Sequence, residues 1–143
     1  RVLFRSELYA IREVLEGAAA AMAARHASPA EIAFLGEVLR EQAAAKDDEA
    51  RLLAANKALH ECIYRAANNR YLVRTLRSLA DELAQLRGTT FSWPKRVAEA
   101  MKEHTAIVRA IEKRDAEAAE HAARAHVAAA LGVRLRMMGR DEF

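Results

Sequence analysis

Three histidines fall on inward-facing positions of three different predicted helices, His60, His104 and His126, and Asn56 lies one helical turn before His60. Imidazole nitrogens on facing helices, with one oxygen donor beside them, are how a helical bundle holds a transition metal. Each histidine sits in register with apolar neighbours. On one segment the row is Val97, Met101, His104, Val108 and Ile111, and on another Ala119, Ala122, His126, Ala129 and Val133. Asn56 and His60 are four residues apart and share a face with Ile63 and Ala67. The alanines beside His126 leave room for a cavity. A single histidine on an apolar stripe is usually a hydrogen-bonded core residue, but three on separate helices favour a metal or ligand site.

The remaining histidines read differently. His121 keeps company with Glu117 and Arg124 on a polar face, and His26 falls in the last turn of the first helix, where a cationic ring suits the helix dipole. Cys62 stands two residues past His60 and points to another face. As a lone cysteine it cannot form an internal disulfide, and a reducing cytoplasm suits it best.

The elements that must position these groups are helices. The chain has 143 residues, enough for one domain with one core, and is 52% hydrophobic with only five glycines and two prolines. Alanine, leucine and charged helix formers dominate, and no alternating strand pattern stands out, so the fold class is all-α. The first helix is expected over about 3–26, with Phe4, Leu8, Ile11, Leu15, Ala18 and Met22 inward. Ser28-Pro29-Ala30-Glu31 reads as a capping box opening the second. An aspartate near 47–48 caps the third, whose apolar residues include Leu52, Leu53, Leu59 and Ile63. Asn68-Asn69 separates it from a fourth, with Leu72, Leu76, Leu79, Leu83 and Leu86 in register and Gly88 at its C-terminal end. Residues 88–94 form a loop carrying Phe91 and Trp93. A fifth helix is expected from about Pro94, and a sixth, capped by Asp115, reaches roughly to Met138. Six helices joined by short turns describe an antiparallel bundle.

Composition excludes several function classes. The net charge is +3, from 23 basic and 20 acidic side chains interleaved along the chain, with no basic arm to track a phosphate backbone. No run of about 18 apolar residues exists to span a membrane. The opening at Arg1, without an initiator methionine, is expected to reflect a missing N-terminal part.

The residues also resemble a family. Asn56-x-x-x-His60-x-x-Ile63, followed by Asn69-x-x-Leu72, is similar to the D-x-x-x-H…N-x-x-L pattern of the FCD domain. Glu103-His104-x-x-Ile107-x-x-Ala110-Ile111-x-x-Arg114-Asp115, with His126 beyond, is similar to the pattern's second half. FCD domains are the C-terminal effector domains of FadR-type GntR transcription regulators. The resemblance covers about Leu8 to Val133. It implies a bundle of about six or seven helices, a homodimer, and a DNA-binding winged helix-turn-helix in the missing N-terminal part. It also implies a divalent metal held by Asn56, His60, His104 and His126 beside a small-molecule pocket. Asn56 departs from the aspartate common in the family, and a neutral amide oxygen is the weaker donor. Zinc or nickel suits such imidazole-rich sites, and the full dication in a buried cavity favours a small carboxylate effector. Arg12 resembles an arginine of the family's opening helix, where it could grip that carboxylate. The alternative is a metal-dependent hydrolase or lyase. Its base would be Glu61 or Glu103, each rotated by about 100° from a ligand's face, which weakens that case.

Overall fold

The computed structural model describes residues 2–86 and 88–141, so Arg1, Arg87, Glu142 and Phe143 lie outside the described residues. Six α-helices and one short 3₁₀ turn form the fold, and no strand occurs among the described residues. They are α1 (Val2–His26), α2 (Pro29–Ala45), α3 (Glu49–Ala66), α4 (Arg70–Ala84), α5 (Arg96–Glu112) and α6 (Ala116–Asp141), with the 3₁₀ turn at Thr90–Ser92.

Local chemistry sets most boundaries. Ser28 accepts from the Glu31 backbone N–H at 3.1 Å, and the Glu31 carboxylate accepts from the Ser28 N–H at 2.9 Å, completing the expected box. Asp48 caps α3 through the Arg51 N–H, and Asn69 caps α4 through the N–H groups of Tyr71 and Leu72. Asp115 accepts from the Ala118 N–H at the start of α6. Two boundaries differ from expectation. α4 stops at Ala84 with Gln85 as its cap, so Leu86 lies past the helix. Gly88 instead takes a φ of +67° within the following loop, a conformation that costs a glycine little. α5 starts at Arg96 rather than Pro94, because Lys95 before it adopts a left-handed conformation with φ 66°.

α1 packs along α6 and also meets α3, α4 and α5. Its buried face follows the expected stripe only in part: Leu8 is buried, and Leu15 and Met22 pack against the core. Phe4 and Ile11 are 51% and 45% exposed, whereas Ala19, Ala20, Ala23 and Ala24 are fully enclosed. The reason is distance: small side chains let α6 and its Ala119 and Ala123 approach closely, and buried area follows the closest approach rather than the largest residues. Gly17 marks this crossing, since a Cβ there would lie 2.7 Å from Cγ of Arg124 on α6. Leu53 likewise faces outward, at 39% exposure. Leu35, Leu59, Leu76, Ile107, Val108 and Ile111 fill the centre. Each such side chain contributes about 1.5–3 kcal/mol by leaving water.

A candidate metal centre

α3, α5 and α6 bring the three histidines together. His60 is 8% exposed, His126 5% and His104 fully buried. Their ring centroids lie 5.5 Å apart for His60–His104, 5.5 Å for His60–His126 and 4.7 Å for His104–His126. One nitrogen from each ring can be chosen so that all three lie within 4.8 Å of one another, a grouping able to hold a metal ion.

The two nitrogens of each ring differ. The Nδ1 atoms meet protein partners. His126 Nδ1 is 2.6 Å from Oε1 of Glu103, His104 Nδ1 is 2.9 Å from Nε2 and 3.1 Å from Oε1 of the Gln42 amide, and His60 Nδ1 is 3.3 Å from Oε2 of Glu16. Nε2 of His60 and of His104 are buried with no hydrogen-bond partner, and His60 Nδ1 makes no hydrogen bond although it lies within ion-pair reach of Glu16. A buried imidazole nitrogen left unpaired costs free energy unless something fills the gap. Nitrogen donors of this kind fit a divalent transition metal, so the residues present suit the group that the resemblance implies.

The electrostatics favour neutral ligands. His104 is held well below the ordinary imidazole value of 6.5, first by burial and then by His126, His60 and Arg96. His126 is also lowered, because burial outweighs the opposing pull of Glu103. Metal ligation needs these rings deprotonated, and the fold already keeps them so near neutral pH. Burial alone would raise Glu16, but its close contact with His60, the charge of Arg12 and the Tyr64 hydroxyl bring it down to about 2. For Glu103, contact with His126 and Arg96 overcomes burial and lowers it.

These shifts carry a pH dependence. In the metal-free protein, the unfolded chain takes up protons near pH 6.5 that folded His104 and His126 refuse. Their contribution to stability is complete above 6.5 and declines as pH falls below it. Glu16 acts in the same direction at lower pH. Its contribution is complete above the ordinary 4.5 and is lost as pH falls through about 2. The midpoint of thermal unfolding of metal-free protein should therefore hold above about pH 6.5 and drop as pH falls from there to about 5.5. His104→Gln should flatten that slope, and an unchanged slope would contradict the assignment.

The other expected residues have these places. Asn56, half-buried, lines a cavity of about 650 Å³ together with His60, Arg12, Tyr64, Lys57 and Arg77. Arg12 also lies over the ring of Tyr9, 5.7 Å from its centroid. His26 and His121 are exposed, as their sequence settings imply. Cys62 is buried and donates to the Glu31 carbonyl at 3.8 Å, away from the trio. Tyr64 donates its hydroxyl to Glu16. Glu61 is taken up by Arg77. Glu103 does not reach the Nε2 side of the cluster but bridges His126 and Arg96, at 2.7 and 2.9 Å from the guanidinium.

Sequence reasoning missed Glu16, Gln42 and Arg96, which are 5%, 2% and 1% exposed. A signal was present. Gln42 continues the buried row of Leu35 and Val38, Glu16 begins the alanine row of α1, and Arg96 and Ala100 precede His104 at intervals of four. A polar residue in an apolar slot is as informative as a histidine there.

Comparisons with known proteins agree with this architecture. The chain is similar to a probable D-xylose utilization operon transcriptional repressor of Paenarthrobacter nicotinovorans, with 35% identity over 127 residues. That match covers 87% of this chain, which spans 55% of the repressor's length. Among solved structures, E. coli McbR/YncC shares the fold with a TM-score of 0.76 at 20% identity, over 92% of this chain and 68% of that one. No helix among the described residues is long and apolar enough to cross a membrane. Residues 7–129 match the family model of the FCD domain, and the chain belongs to that family.

Proposed function

We propose that this chain is the effector-sensing domain of a GntR-type transcription regulator, binding a small organic acid at a metal-containing pocket. The observation that carries the reading is the pair of unpartnered Nε2 atoms, on His60 and His104, buried beside His126, with a cavity that reaches the trio at His60. His60, His104 and His126 would hold a divalent ion, zinc or nickel, and Asn56 would offer its amide oxygen. Such an ion supplies a positive, Lewis-acidic centre to which a carboxylate can bind. The chain's own residues do the rest. Arg12 and Lys57 line the cavity with the Arg77–Glu61 pair and Asp81, and Arg12 can meet a carboxylate in two-pronged fashion.

DNA would be bound by a winged helix-turn-helix outside these residues, in a cytoplasmic homodimer. The effector would act by binding the DNA-competent and DNA-incompetent states unequally. An enzymatic reading is less well supported, because Glu103 and Glu61, the carboxylates nearest the ligands in sequence, are engaged by His126 with Arg96 and by Arg77. The test is metal content followed by thermal-shift screening of small mono-, di- and hydroxy-carboxylic acids. Purified protein should bind one zinc or nickel per chain, and at least one acid should raise its melting temperature only when metal is present. Absence of stoichiometric metal uptake would sink the metal reading, and metal uptake without any acid response would sink the effector class.

A further inference from the structure

The three imidazoles are each backed by an oxygen from a different helix. Glu16 on α1 stands behind His60, Gln42 on α2 behind His104, and Glu103 on α5 behind His126. Three features make this more than ordinary packing. In every case the backing side chain lies beside Nδ1: a carboxylate at His126, the Gln42 amide at His104, and a carboxylate at ion-pair distance at His60. Nε2 of His60 and of His104 has no hydrogen-bond partner, and on His60 Nδ1 meets Glu16 only as an ion pair. The backing groups are themselves restrained, since the Tyr64 hydroxyl donates to Glu16 and the buried Arg96 guanidinium grips Glu103.

We propose that Glu16, Gln42 and Glu103 are positioning residues that turn the three imidazoles Nε2-inward, and that Glu16 and Glu103 supply the fixed negative charge that Asn56 lacks. This rests on the metal reading above. An Nδ1–H that donates to an oxygen fixes the tautomer, leaves the Nε2 lone pair free, and makes the ring a stronger donor. Three neutral imidazoles and a neutral amide bring no charge to a dication. Two carboxylates one ring away bring negative charge to the site without occupying the ion's coordination positions, that of Glu103 being shared with Arg96. Those positions stay open to an incoming anion.

The test uses Glu16→Gln and Glu103→Gln, which keep shape and a hydrogen-bonding oxygen but remove the charge. Zinc affinity is measured by competition with a chromogenic chelator, alongside helical circular dichroism. Each variant should retain the wild-type spectrum and bind zinc about 10- to 100-fold more weakly. In zinc-loaded protein, the downfield Nδ1–H proton resonance of His126 should move upfield in Glu103→Gln and remain in place in Glu16→Gln. If either variant proves poorly folded, the other tests the proposal alone, as they lie on different helices. Folded variants that bind zinc as tightly as wild type would overturn it. A wild-type chain that takes up no zinc would instead remove the metal reading on which it rests.

Discussion

Alanine in place of His104 should abolish metal-dependent stabilisation. His104 is fully buried, and its unpartnered Nε2 belongs to the metal-capable group, so no surface residue can replace it without repacking. Metal at about a thousandfold above its dissociation constant stabilises a folded site by roughly 4 kcal/mol. For a domain of this size, that corresponds to a rise in melting temperature on the order of 10 °C. The wild-type chain should show such a rise on addition of zinc or nickel, and His104→Ala should show almost none. The substitution also leaves Gln42 without its partner, so the metal-free variant should be less stable by about 1–3 kcal/mol. The two effects separate because the first is the difference between metal-loaded and metal-free melting. A variant that kept the full increment would show that the histidines serve packing alone.

Removal of the Arg96 side chain should give the largest loss of metal-free stability. Arg96 is 1% exposed and clasps the Glu103 carboxylate with two hydrogen bonds. The pair need not be a net source of stability, since desolvating both charges offsets much of their attraction. Breaking it is another matter. Arg96→Ala leaves the Glu103 carboxylate beside His126 without its counter-ion and opens space where the arginine stem packed. The expected cost is about 3–5 kcal/mol, read as a shift of the urea midpoint at unchanged slope. Arg96→Lys should recover only part, because an ammonium cannot reproduce the two-pronged geometry. A loss below about 1 kcal/mol would mean that Glu103 is stabilised chiefly by other groups.

Helix-start chemistry was readable because it is local. A serine, a proline and a glutamate within four residues specify the α2 start whatever packs on it, and Asp48, Asn69 and Asp115 act in the same way. The inward face of α1 was readable only in part from side-chain size. Phe4, Ile11 and Val14 have the stronger hydrophobic signal, yet they are about half exposed while the alanines are enclosed. Which face a long apolar helix buries depends on how closely its neighbour approaches, and that distance is a property of two helices rather than one. The end of α4 was likewise set by its own cap at Gln85 rather than by Gly88.

The candidate site divides along the same line. The sequence alone determined that His60, His104 and His126 face inward, because a fixed 3.6-residue period places them in apolar rows on their own helices. It also determined that His26, His121 and Cys62 stand apart. Tertiary structure decided what stands behind each imidazole. Glu16, Gln42 and Glu103 reach the rings from partners 44, 62 and 23 positions away. The orientation of an imidazole depends on the atom that meets its Nδ1, and that atom arrives only when separate helices pack together.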